Sequence, residues 1–228
     1  MSSINRKGEN MIKKKFLVMF SVALFFAGCA AGPPPVREGL KENLSVPAGR
    51  IEGSQFTGIR YPFKVSAPSS WKMTTEFPDF LQGLGYDKPT PYDKEVTELY
   101  IFNPSTQSTV QIDLTPADRY TVFSQGTIER YTGMGASSFE EELEKDYGKD
   151  IEAKVSPAEP VTLRGVQYAA KRYATYTVKD VKREQGWIYG FSEPYQIFIL
   201  YMIMDKGGSR DREDLKSIID SFEVVPKK

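Results

Sequence analysis

"YQIFILYMIMDKGGSRDREDLKSIIDSF", Tyr195 to Phe222, is the stretch on which the fold turns. Between Ile197 and Met204 the apolar residues do not alternate with polar ones, so both faces of this strand are apolar. A strand of that kind has to be covered on both sides, by helices on each face of its sheet or by a partner on one of them. The residues that follow supply one cover. Leu215, Ile218, Ile219 and Phe222 recur at i, i+3, i+4 and i+7, the stripe of an amphipathic helix that packs on the sheet.

Moving back along the chain, "REQGWIYGFS" (Arg183 to Ser192) pairs with this strand around the turn Glu193-Pro194. "VTLRGVQYAAKRYATYTVK" (Val161 to Lys179) reads as two strands around Arg164-Gly165. In "TVQIDL", Val110, Ile112 and Leu114 alternate with Gln111 and Asp113, the period of a half-buried strand. "VTELYIF" precedes it through Asn103-Pro104-Ser105, and "IRYPFKVSAP" (Ile59 to Pro68) opens the series before Trp71-Lys72-Met73. A helical zone spans Asp118 to Tyr147. Ser137 and Glu140 suggest a capping box for its second half, Phe139, Leu143 and Tyr147 form its stripe, and Gly148 ends it. Strand-rich hairpins with one helix inserted and one at the end predict an α+β domain, an antiparallel β-sheet sandwiched between helices.

The opening Tyr61-Pro62-Phe63 with Pro68-Ser69-Ser70-Trp71, the central helix and the ending "YMIMDKGGSRDREDLKSIIDSFEVV" resemble the PsbP superfamily. That group includes an extrinsic photosystem II protein, a nuclear-import factor that binds the GTPase Ran, and DcrB-like bacterial lipoproteins. The resemblance covers Ile59 to Val225. It implies a fold, and members that mostly bind other proteins rather than catalyse.

The only cysteine, Cys29, lies in "LFFAGCAAGPPP". Lys13, Lys14 and Lys15 precede the apolar run Phe16 to Ala27, the layout of an export signal, and the run is shorter than the ~20 residues a membrane-spanning helix needs. Ala27-Gly28-Cys29 resembles the lipobox of bacterial lipoproteins, although Phe26 stands where leucine is commoner. The resemblance implies cleavage before Cys29, diacylglycerol on its thiol and an acyl chain on the new amine. At about 0.8 kcal/mol per buried CH₂, one chain holds marginally and two hold stably. Ala30 in place of aspartate implies, by the same resemblance, sorting to the outer membrane, facing the periplasm. Met11 is a second candidate start, because the ten residues before it are polar.

The expected organisation is therefore a lipoprotein signal peptide over 1–28, a lipidated tether over 29–58 and a PsbP-like domain over 59–228. The tether is rich in proline, glycine and charge, with Pro33-Pro34-Pro35 as its stiffest part. Net charge is zero, with +4 in the first 28 residues and −4 in the rest, so nucleic acid is not the expected partner. The chain has no histidine, which removes the usual general base and the commonest metal ligand.

Each motif with chemical promise has a plainer rival. Ser69 and Lys72 have the S-x-x-K spacing of penicillin-binding enzymes, but they follow Pro68 into a strand rather than lying on a helix. Gly133 to Ser138, "GMGASS", has a G-x-G ahead of an expected helix start, yet Glu140, Glu141 and Glu142 would repel phosphate. Asp79, Asp87, Asp93 and Glu95 are the acids available to a hard cation. Arg172 shares a face with Val166, Tyr168, Ala170, Ala174, Tyr176 and Val178, as a strand-end or bulge residue or as the partner of an internal acid. Tyr168, Tyr173, Tyr176, Trp187, Tyr189, Phe191 and Tyr195 read as cross-strand packing, with any outward members free to recognise a protein.

The reading is a lipid-anchored, non-catalytic binding or scaffold module without a cofactor or metal, serving a protein partner or an envelope complex. A carboxylate-dependent envelope hydrolase and a small-ligand or cation carrier are the alternatives.

Overall fold

The run that opens the argument is a central strand, buried on both faces. The computed structural model describes residues 42–84, 88, 97–149, 151–205 and 210–225, all within one compact unit. Cys29, the signal segment 1–28 and the tether as far as residue 41 lie outside the described residues. In chain order the first elements are β1 (Gly49–Glu52), β2 (Gln55–Gly58), β3 (Phe63–Ser66), β4 (Lys72–Thr74) and a 3₁₀ helix (Asp79–Leu84). Next come β5 (Leu99–Phe102), β6 (Thr109–Pro116), α1 (Gln125–Tyr147), β7 (Lys154–Val155) and β8 (Glu159–Pro160). The last are β9 (Tyr168–Val178), β10 (Val181–Ser192), β11 (Tyr195–Asp205), α2 (Asp211–Ser221) and β12 (Glu223–Val224).

An eight-stranded antiparallel sheet has the order β4-β5-β6-β11-β10-β9-β7, with β8 also paired to β9. β11 lies between β6 and β10, with Ile199 opposite Ile112 on one side and Ile188 on the other. Ile197, Ile199, Tyr201 and Ile203 point to one face, and Phe198, Leu200 and Met202 to the other.

The two faces are covered differently. On one, Ala136, Phe139 and Leu143 of α1 pack on Ala174, Tyr176, Val178 and Trp187. On the other, a second sheet of four strands, β1-β2-β3-β12, brings Phe56, Phe63 and Val65 onto the isoleucines, and Leu215, Ile218 and Phe222 of α2 join them. The expected arrangement, one sheet between helices, is corrected here: one cover is a sheet with a helix beside it.

The tether boundary at residue 58 is also corrected. β1 and β2 form a hairpin whose second strand pairs with β3, so the body begins before Ile59. Phe56 is fully buried, and burying one such ring contributes roughly 1.5–3 kcal/mol. A single apolar residue among glycine, serine and glutamine has no period, which is why the stretch reads as linker.

The helical zone is one continuous helix of 23 residues, not a helix that starts at Ser137. Ser124 caps it, its side chain accepting from the Thr127 N–H at 3.2 Å. "GMGASS" lies mid-helix because Gly135 is where α1 meets Trp187: a Cβ there would sit 3.0 Å from the indole nitrogen. That nitrogen donates to the Thr132 carbonyl at 2.9 Å. Gly148 closes the helix at φ +85°, its N–H on the Glu144 carbonyl, as the sequence predicts. The Glu193-Pro194 hairpin joins β10 to β11 as expected, while the strand expected from Val161 to the Arg164-Gly165 turn lies earlier, at Glu159–Pro160, where β8 pairs with β9. The Lys179-Asp180 turn between β9 and β10 is an addition, with both residues at positive φ.

Candidate functional site

The period of two that buries β5 also builds a recess. Leu99 and Ile101 enter the core, so Tyr100 and Phe102 face the other way. There they meet Phe77 and Phe80 at the start of the 3₁₀ helix: Phe77 lies edge-on to Tyr100 at 5.8 Å, and Phe80 lies 5.1 Å from Phe102. The result is a hollow of about 650 Å³ lined by the Phe77, Tyr100 and Phe102 rings with Thr74, Thr75, Thr97, Glu76, Asp79 and Lys88. Burial pushes the Tyr100 hydroxyl up, so it stays protonated and is a donor. The hollow adjoins β4, one end of the large sheet among the described residues. Aromatic floor, hydroxyls and rim charges are recognition groups.

A second cluster sits where the chain enters the body. Glu98 is fully buried. Its Oε1 accepts from Arg60 Nη1 at 2.6 Å, and its Oε2 has no partner among the described residues. Burial raises its carboxyl to about 7, against the lowering pull of the Arg60 charge. Arg60 Nε also donates to the Val46 carbonyl at 2.9 Å, and Tyr61 Oη donates to Glu42 at 3.2 Å. Burial and the neighbouring Glu42 push the Tyr61 hydroxyl well up. The cluster clasps residues 42–46 to the body. In the sequence its only sign is an acid, Glu98, placed directly before an apolar strand.

The expected site residues disperse. Ser69 and Lys72 are exposed, and the Pro-Ser-Ser-Trp motif docks on α2: Trp71 Nε1 and Ser70 Oγ both donate to Asp214 Oδ2, at 2.9 and 3.2 Å. Asp79 lies on the rim of the recess, while Asp87, Asp93 and Glu95 fall outside the described residues. Among the described residues no group of three or more acids or thiols converges as a metal site would require. Arg172 sits mid-strand opposite Trp187 in unbroken register, so it is neither a bulge nor a strand end. Its Nε is buried without a partner among the described residues, and no ion pair joins it to an acid there.

Of the sheet aromatics, Tyr176, Trp187, Phe191 and Tyr195 are buried, Tyr173 and Tyr189 half-buried, and Tyr168 exposed. Cross-strand packing accounts for most of them. Asp211 is a further buried acid. It accepts from Asn103 Nδ2 at 2.9 Å and Ser108 Oγ at 2.6 Å, fastening the start of α2 to the β5–β6 hairpin.

No family model matches the chain, and no curated protein matches it. Solved structures do. PsbP from the cyanobacterium Synechocystis matches with a TM-score of 0.49 at 11% identity, over 82% of this chain and 98% of that one. A protein from Bacteroides thetaiotaomicron matches at 0.46 and 11% identity, over 78% of this chain and 50% of that one. LpqN, involved in cell envelope biogenesis of Mycobacterium tuberculosis, matches at 0.44 and 14% identity, over 76% of this chain and 86% of that one. The first match is to the family that the sequence resembles. Likeness at this level passes on no activity, ligand or partner.

Proposed function

We propose that this chain is a bacterial lipoprotein, acylated at Cys29 and facing the periplasm from the outer membrane, whose body is a non-catalytic binding module for a protein partner. The aromatic recess beside β4 carries the binding reading. Its rings and hydroxyls suit a docked side chain, and an outermost strand is the place where an extended segment adds by backbone pairing. Among the described residues, the carboxyl that burial raises to about 7, Glu98, is enclosed in the clasp and does not line the recess, which favours binding over carboxylate catalysis.

Photocrosslinkers at Thr75 and Phe77, tested in intact cells, should capture one protein that a crosslinker at exposed Lys182 does not. Equal capture from all three positions would defeat the reading. The volume also falls within the ~300–1,000 Å³ of small-molecule sites, so a ligand seen by mass spectrometry in the native protein, with no captured protein, would favour the carrier reading. Lipidation has a separate readout. Cys29→Ser should change the protein's mass and move it out of the membrane fraction.

A further inference from the structure

The described residues expose seven large hydrophobic side chains: Leu44, Ile51, Ile59, Tyr120, Val122, Met134 and Tyr168. Five of these gather at one end of the large sheet. Register defines that end, because Tyr195 pairs with both Pro116 and Ser192, and Phe191 pairs with Tyr168. Tyr61 lies edge-on to Tyr195 at 5.4 Å and bonds Glu42, so the chain enters the body there. Leu44 lies in the clasped segment, and Ile59 donates its N–H to the Ala48 carbonyl at 2.8 Å. Ala117 bonds the Pro194 carbonyl at 2.9 Å, after which Asp118 Oδ1 accepts from the N–H groups of Tyr120 and Thr121 and sets a turn.

That turn holds Tyr120 and Val122 outward, at 68% and 57% exposure. Tyr168 stacks on Phe191, which stacks on Phe123 at 4.1 Å, so the exposed side chains rest on a firm base. The opposite end, at the Lys179-Asp180 turn, presents Lys179, Asp180 and Lys182 instead.

We propose that the chain-entry end is a bilayer-facing surface that seats Leu44, Ile59, Tyr120, Val122 and Tyr168 at the lipid headgroup level. The inference rests on the Cys29 anchor. Glu42 lies thirteen positions after Cys29, a reach of at most about 45 Å at full extension, so the entry end is the part of the body that the anchor tethers to the lipid. Exposed apolar side chains gathered at one end of a body suit an interaction surface, and tyrosine suits the boundary between water and hydrocarbon. Arg164 there pairs with Glu223 at 3.7 Å, and Arg119 stands beside Asp118 in the chain, so the contact works through apolar area rather than through anionic lipid.

Acylation consumes the only native thiol, so an introduced cysteine can be labelled alone. The full chain carrying Ile59→Cys, Val122→Cys or Lys182→Cys is tagged with a polarity-sensitive fluorophore. It is then reconstituted into vesicles of phosphatidylethanolamine and phosphatidylglycerol containing headgroup-nitroxide lipids. Labels at 59 and 122 should shift to the blue and be quenched, whatever the phosphatidylglycerol fraction, while the label at 182 does neither. If the protein floats with the vesicles but labels at 59 and 122 behave like that at 182, the surface is refuted and the anchor stands. A label at 122 that native envelope vesicles shield from iodide, but that nitroxide lipids do not reach, assigns the surface to a protein and overturns the proposal. Failure to float overturns the anchor and this surface together.

Discussion

Asp211 and Glu98 are both buried acids, and each fastens one end of the chain to the body, yet they are held in different ways. Asp211 engages both oxygens through neutral donors, Asn103 and Ser108, and Ser108 Oγ in turn accepts the Met204 N–H at 3.0 Å. Among the described residues Glu98 has one charged partner, Arg60, and one oxygen with none. The cost of taking an acid out of water is offset by a shared network at the α2 end and by a single cation at the entry end. The difference teaches that the entry clasp is the one sensitive to charge.

Removing the cation tests this most severely. Arg60→Leu leaves Glu98 buried and unpaired and should cost about 3–5 kcal/mol in denaturant unfolding at alkaline pH. The loss should shrink in acid, because a protonated Glu98 needs no counter-charge. Asp211→Ala leaves the Asn103 and Ser108 donors unsatisfied and should cost about 2–4 kcal/mol. Its effect should persist when Arg60 is also replaced, since the two clasps share no residues.

Below the range in which tyrosines titrate, Glu98 gives stability a pH dependence. Its folded value, about 7, lies above the ordinary 4.5, so the folded state holds the proton more tightly than the unfolded chain does. That contribution is complete below about 4.5 and is lost as pH rises through about 7, by at most about 3 kcal/mol. Glu98→Gln should therefore flatten the stability profile between those limits, and an unchanged slope would move the titration to another group. Tyr61→Phe should have the smallest effect. It removes only the hydroxyl donated to Glu42, costs about 0.5–1.5 kcal/mol and frees residues 42–46 to faster hydrogen exchange, with α2 unaffected.

The candidate site was partly legible. "VTELYIF" reads as a strand, but its four apolar residues Leu99 to Phe102 do not show which face is which, and only the 3₁₀ helix, which carries Phe77 and Phe80 to Tyr100 and Phe102, turns one face into a recess. Ser137 and Glu140 have the spacing of a helix start, and nothing local shows that the helix already runs through them from Ser124. Gly135 looks like a break in the helical pattern until Trp187, on a strand far along the chain, is seen to need the space. Arg172 was assigned to the right face by its period, though its surroundings were not.

What the sequence determined by itself was whatever repeats over a few residues: the doubly apolar β11, the stripe of α2, the Glu193-Pro194 turn and the glycine at the end of α1. Tertiary structure alone decided the second sheet, the Arg60–Glu98 pair across 38 positions, the Trp71–Asp214 bond across 143, and the gathering of exposed apolar residues at one end. Periodicity reports which face of an element shuns water, because that depends on near neighbours in the chain. It says nothing of which distant group will meet that face, because that choice is made by packing.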